Sequence, residues 1–200
     1  MSDHSRRPRL HGLLPIFAAA ALGALGCADP LTLPPANQAT VELTVTLYAL
    51  TGTPVGTPSA YTLGTASSAP SAVRTDRTID FDFAVDLVPG TGTDTNLVIL
   101  PRGAVGFALD GGAQRASIPY DSITIAPTSG YRGDSALAVG PGDVVLLASR
   151  LQQCNFGINR PRYAKLRVES VDRAQRSAVL LMRIDPNCGY RGLAAGVPTS

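Results

Sequence analysis

The stretch ATVELTVTLYAL, residues 39–50, alternates between apolar and polar side chains. Val41, Leu43, Val45 and Leu47 fall on one face, and Glu42, Thr44, Thr46 and Tyr48 on the other. That period of two belongs to a strand with one face in a core, because successive side chains of extended backbone point to opposite sides. TIDFDFAVDLV (78–88) repeats the pattern, with Ile79, Phe81, Phe83, Val85 and Leu87 inward and Asp80, Asp82, Ala84 and Asp86 outward. TGTPVGTP (51–58), the Ser/Ala/Pro-rich residues 64–76 and PGTGTDT (89–95) read as the loops between and after them.

Further along, NLVILP (96–101), GAVGFAL (103–109), ASIPYDSITI (116–125) and DSALAV (134–139) are short strand candidates separated by Gly and Pro. The turn GPGD (140–143) leads into DVVLLAS (143–149), and YAKLRVESV (163–171) and SAVLLMRI (177–184) form a hairpin around residues 172–176. No stretch carries a helical period. With 20 Gly and 16 Pro as punctuation, about eight to ten short strands predict an all-β fold. The expected form is an antiparallel β-sandwich of immunoglobulin-like appearance, with a jelly roll or small barrel as the alternative.

The N-terminus has a different composition. Arg6, Arg7 and Arg9 precede GLLPIFAAAALGAL (12–25), apolar from Leu13 to Leu25 except for Pro15 and Gly23. A basic start followed by a short apolar run is the pattern of a secretory signal peptide. It is shorter than the roughly 20 residues that a membrane-spanning helix needs. The longest later apolar run, Val144 to Ala148, could not span either. The signal ends in Ala24-Leu25-Gly26-Cys27. This resembles the lipobox of bacterial lipoproteins, with Ala24 where leucine is commoner. The resemblance covers residues 1–27. It implies a thioether-linked diacylglycerol on Cys27, cleavage before it and acylation of the new amino group. Ser5-Arg6-Arg7-Pro8-Arg9-Leu10 is similar to a twin-arginine export motif, but Arg9 stands where that motif has an apolar residue, so an ordinary charged n-region is preferred. The absence of an aspartate at position 28 leans towards the outer membrane. The expected organisation is a signal peptide over 1–26, a lipidated cysteine and Pro-rich tether over 27–38, and a single β-sandwich domain over 39–200.

Composition narrows the chemistry of that domain. Both histidines, His4 and His11, lie within the signal. Residues 27–200 therefore offer no Ser-His-Asp or Cys-His constellation and no His-ligated metal. They hold 14 basic and 14 acidic residues, a neutral balance that argues against a nucleic-acid partner. Residues 28–146 carry 11 acids and 5 bases, and residues 147–200 carry 3 and 9. Pairing of the two portions within one fold is expected.

Once Cys27 is acylated, Cys154 and Cys188 remain. They flank the last predicted hairpin, whose base brings its ends together, and an exported setting is oxidising, so a disulfide is expected. Asp76, Asp80, Asp82 and Asp86 could suggest calcium, but the segment lacks the glycine and closing glutamate of a calcium loop, and alternate aspartates on a strand read as its solvated face. GYRG occurs at 130–133 and 189–192 with unrelated flanks, as two similar Gly-bounded turns. The first copy contains Arg132-Gly133-Asp134, an adhesion tripeptide that arises easily by chance. No catalytic residue, metal ligand or cofactor is assigned. The expectation is a lipid-anchored envelope lipoprotein with a non-catalytic binding or structural domain, in contact with a membrane through its anchor. The alternative is an envelope hydrolase, glycosidase-like, using paired aspartates such as Asp80 and Asp82.

Overall fold

The period-two segments fold as strands, and the computed structural model describes residues 33–90, 95–155 and 157–199. The lipobox and Cys27 lie outside the described residues. The strands are β1 (Val41–Tyr48), β2 (Ala60–Thr62), β3 (Ser71–Val73), β4 (Phe83–Pro89), β5 (Thr95–Pro101), β6 (Gly112–Arg115), β7 (Leu137–Val139), β8 (Val144–Ala148), β9 (Gln152–Asn155), β10 (Ile158–Arg160), β11 (Tyr163–Asp172) and β12 (Ser177–Ile184). One sheet has the order β1-β12-β11-β8-β6 and the other β3-β2-β4-β5-β7, with β9 and β10 as a separate hairpin. All pairings are antiparallel, and the fold is an all-β sandwich.

Alternation puts one core between the sheets. Leu47 of β1, Phe83 and Val85 of β4, Ile99 of β5, Leu147 of β8, Leu166 of β11 and Leu180 and Met182 of β12 belong to a single buried cluster. Tyr61 and Phe83 stack within it at 6.0 Å. A packed interior of this kind is the main source of stability, since each large side chain removed from water contributes about 1.5–3 kcal/mol.

The outer faces are also covered, and here the sequence reading needs correction. GAVGFAL is not a strand. Residues 102–105 form a 3-10 turn ended by Gly106 in the left-handed region. Val105 and Phe107 then pack on Phe81 and Ala84, outside the β3–β7 sheet. ASIPYDSITI is not a strand either. Pro119, which has no N–H to give a ladder, leads into a 3-10 turn over Tyr120–Ser122. Tyr120, Ile123 and Ala126 then cover Val144, Leu146 and Tyr163 on the outside of the other sheet. Val105 and Phe107 of the first segment and Tyr120 and Ile123 of the second pack against the backs of the sheets, whereas Leu109, Ile118 and Ile125 are exposed. Strands β2, β3, β6, β9 and β10 are too short to show a period.

The same covering overturns the solvated row of aspartates. TIDFDFAVDLV becomes strand only from Phe83 onwards. Ile79 is 58% exposed, whereas Asp82 and Asp86 are buried. Thr51, on a segment running beside β4, donates to Asp86 from its backbone N–H and its hydroxyl. Arg176 reaches the same carboxylate and also donates to the carbonyls of Thr51 and Leu87. Those bonds hold Arg176 at φ 52, a backbone region unfavourable for a side chain. Pairing between the acidic and basic portions of the chain is real. Arg150–Asp80, Arg176–Asp86 and Arg183–Glu42 all join them.

Lys165 sits on β11 beneath the Tyr120 turn and is 1% exposed. Its Nζ donates to the carbonyls of Tyr120 and Ile123 at 2.8 Å each and lies 4.4 Å from the Tyr120 ring centroid. Burial pulls the pKa of its ammonium below the usual lysine range. Lys165→Met keeps the bulk but leaves the Ile123 carbonyl without a donor and the Tyr120 carbonyl with only the Ile123 N–H, so it should cost about 1–3 kcal/mol. In native-state hydrogen exchange, amides of residues 120–126 should lose protection before those of β11 and β12. Unchanged protection there would show that the lysine does not hold the segment.

Cys154 of β9 and Cys188, four residues beyond β12, form a disulfide with Cα atoms 5.4 Å apart. It ties the β9–β10 hairpin to the chain that leaves the last strand. Closing a loop of 34 residues in sequence separation should stabilise the domain by about 2–4 kcal/mol. Urea unfolding with and without reductant measures this. Two alkylatable thiols in unreduced, denatured protein would refute the bond.

Candidate functional site

Two of the chain's buried carboxylates and two of its least exposed arginines meet where the disulfide closes one end of the sandwich. Asp82 precedes β4 and accepts from the backbone N–H of Leu63 at 2.6 Å, the N–H of Arg150 at 3.0 Å and the hydroxyl of Thr62 at 3.3 Å. It thereby joins the end of β2 in one sheet to the end of β8 in the other. Burial pushes its carboxyl above the usual range, against the lowering effect of the two N–H donors and Arg150. Arg150 pairs with Asp80 at 2.7 Å and donates to the carbonyl of Phe81. Arg162, 6% exposed, donates to the carbonyl of Leu63, and Gln152 donates to the carbonyl of Gly64 at 2.7 Å. Burial pulls the Arg162 pKa down, with the charges of Asp185 and Asp82 opposing the shift.

Asp185 follows β12 and is fully buried. Its Oδ1 accepts from the backbone N–H and the side-chain amide of Asn187, both at 2.8 Å. Asn187 in turn clamps the incoming chain. Its Oδ1 accepts from the N–H groups of Asn37 and Gln38, and its Nδ2 donates to the carbonyl of Gln38. Tyr190 donates to the carbonyl of Pro34, and Thr40 is bonded to the carbonyls of Ala194 and Gly196. The Pro-rich segment expected to be a free tether is thus stitched to the domain from Pro34 onwards. A cleft of about 200 Å³ lies between it and the disulfide loop, lined by Pro34, Asn37, Arg162, Asn187 and Tyr190 among others. Arg162 Nε, Gln152 Oε1 and Asp185 Oδ2 are buried without a protein partner.

The cluster's chemistry is that of a clamp. Asp82 accepts from donors on two loops, and Asp185 shapes its own loop through Asn187, which in turn holds the incoming chain. Asp80 and Asp82 are two residues apart in sequence but not equivalent. The Asp80 side chain is 70% exposed, while Asp82 is enclosed by three donors, so the pair does not present two carboxylates to one substrate. Among the described residues, no group of three or more His, Cys, Asp or Glu is placed to hold a metal ion.

The tripeptide Arg132-Gly133-Asp134 is on the surface, its two charged side chains exposed and 3.9 Å apart. Gly133 is explained by packing, because a Cβ there would strike the carbonyl oxygen of Gly111. Both GYRG copies open with a glycine in the left-handed region, Gly130 at φ 93 and Gly189 at φ 81. Each then closes a single β-bridge, Arg132 with Ala113 and Gly192 with Ile125. They are similar Gly-bounded turns. Sequence reasoning missed Arg162, Asp185 and Asn187, because an Arg before a strand and an Asp-Pro-Asn after one look like ordinary turn residues.

The chain matches no protein-family model and shows no significant similarity to a curated protein.

Burial raises the Asp185 carboxyl from 3.8 to about 6, against the opposing effect of the Asn187 hydrogen bonds and the Arg162 charge. The folded protein then holds this proton more tightly than the unfolded chain does. The group's stabilising contribution is complete below about pH 4 and is lost as pH rises through about 6. The shift corresponds to about 3 kcal/mol. Between pH 4 and pH 7, the unfolding free energy of Asp185→Asn should therefore gain on that of the natural protein by about this amount. A difference independent of pH would show that Asp185 ionises normally.

Proposed function

We propose that the protein is a lipid-anchored lipoprotein of the bacterial cell envelope whose β-sandwich is a non-catalytic binding or structural domain. The observation that carries this reading is Ala24-Leu25-Gly26-Cys27 behind a 13-residue apolar run with arginines before it. Two or more acyl chains make a stable anchor, at about 0.8 kcal/mol for each buried CH₂. Among the described residues no helix is long and apolar enough to cross a membrane, so the acyl chains are the proposed means of attachment. A disulfide in the folded domain suits an exported protein. The engagement of Asp82, Asp86 and Asp185 with internal donors supports a domain that works by its surface. Anchorage in the outer membrane, facing the periplasm or the cell surface, follows from Ala28 in the position where an aspartate favours the inner membrane.

Cells expressing the full chain and supplied with labelled palmitate should label the natural protein and not Cys27→Ala. The variant should also migrate as an unprocessed or soluble species. Equal labelling of the two would refute the anchor.

A further inference from the structure

We infer that the disulfide end of the sandwich faces the bilayer that holds Cys27, with Ile79, Leu109, Leu151 and Arg160 at the headgroup surface. This rests on the lipid-anchor reading above and adds an orientation to it.

Reach is the first consideration. The chain is bonded to the domain from Pro34 on, through Tyr190, Asn187 and the 194–196 backbone. Leu33 lies against Gly189 and Arg160. Only the residues between Cys27 and Leu33 remain to span the gap, at most about 22 Å if fully extended. Part of that is spent crossing the headgroups, which add roughly 5–7 Å to each side of the hydrocarbon. Strand β1, eight residues long, runs about 26 Å. The anchor is therefore shorter than the domain it holds, and it leaves from one end.

The second consideration is what that end displays. The strand registers place the start of β1, the ends of β8 and β12 and the starts of β4, β6 and β11 together there. Leu109 is 69% exposed, Ile79 58% and Leu151 56%. They sit on three loops gathered around Phe81. Arg102 donates to the carbonyls of Ile79 and Phe81, and Arg150, beside Leu151, donates to Phe81 as well. Val41 and Val197 add exposed apolar surface at the same end; elsewhere Val55, near the β1–β2 loop at the opposite end, and Ile118 and Ile125, on the segment that crosses the back of the β1–β6 sheet, are exposed as well. The charges agree. Asp80 and Asp110 are matched by Arg150 and Arg102, whereas Arg160, exposed on β10, forms no ion pair among the described residues. Exposed apolar side chains together with an exposed basic one suit the boundary of an anionic leaflet.

The chain contains no tryptophan, so a single introduced one reports its own position. Leu109→Trp, Leu151→Trp and Val55→Trp each alter an exposed site. The full-length lipidated proteins are placed in phosphatidylethanolamine/phosphatidylglycerol vesicles containing lipid brominated near the top of its acyl chains. Emission from Leu109→Trp and Leu151→Trp should fall about twofold or more, and that from Val55→Trp should not change. If the protein floats with the vesicles and mass spectrometry finds lipid on Cys27, yet Val55→Trp is quenched as strongly as Leu151→Trp or none is quenched, the orientation is wrong and the anchor stands. If Cys27 carries no lipid, the anchor fails and the orientation fails with it.

Discussion

Asp82 holds the two sheets together where they would otherwise part. Its carboxylate receives main-chain N–H groups from Leu63 and Arg150, one on each side of the core. A sandwich is sealed along its faces by apolar packing, but its ends are made of loops, whose backbone polar groups need partners. A charged acceptor between two loops meets that need with strong hydrogen bonds. Its desolvation costs energy, and the gathering of Arg150 and Arg162 around it offsets part of that cost. The opposite end repeats the device with Asp86, Thr51 and Arg176. Asp82 immediately precedes β4 and Asp86 is its central residue, so the first half of the strand is held at two points.

This arrangement explains which parts of the fold could be read from residues alone. β1 and the β11–β12 hairpin are long enough for alternation to repeat several times, and Leu43, Val45 and Leu47 of β1 face the core as expected, while Val41 at its start is exposed. The disulfide was legible through hairpin geometry and the even count left after Cys27. The outer covers were not legible. ASIPYDSITI has the residues of a strand, but only Tyr120 and Ile123 among its large apolar side chains are buried, and composition does not say which surface receives them. The burial of Asp82 and Asp86, read from alternation as solvated, and that of Lys165 have a common origin. Asp86 and Lys165 lie on the outward side of a strand and Asp82 just before one, and each is buried because a distant segment lies against it. Such crossings are tertiary facts, and nothing within ten residues of Lys165 foretells that Tyr120 will lie on top of it.

The covers also limit what the surface can offer. In a two-layer sandwich with bare backs, the broad faces of the sheets would be the natural platforms for a partner. Here residues 102–107 and 116–126 occupy parts of both. Arg115, on the edge strand β6, bonds the carbonyl of Ala138 and pairs with Asp143, closing the side of the sandwich where β6 and β7 run. What remains open is concentrated in loops at the ends, where contacts can change without disturbing the core.

The pairing of β1 with β12, Val41 opposite Ile184, has a consequence for how the molecule is made. A chain that emerges N-terminus first displays a complete amphipathic strand that has no neighbour until its last strand has emerged. Contacts so distant in sequence are slow to form, and apolar strands left waiting invite wrong partners. Thr44 and Thr46 on the exposed face of β1 and its single acid, Glu42, keep the waiting strand partly wetted. Premature termination anywhere before β12 would leave β1 permanently unpaired, so the last strand acts as a completeness check on the whole chain.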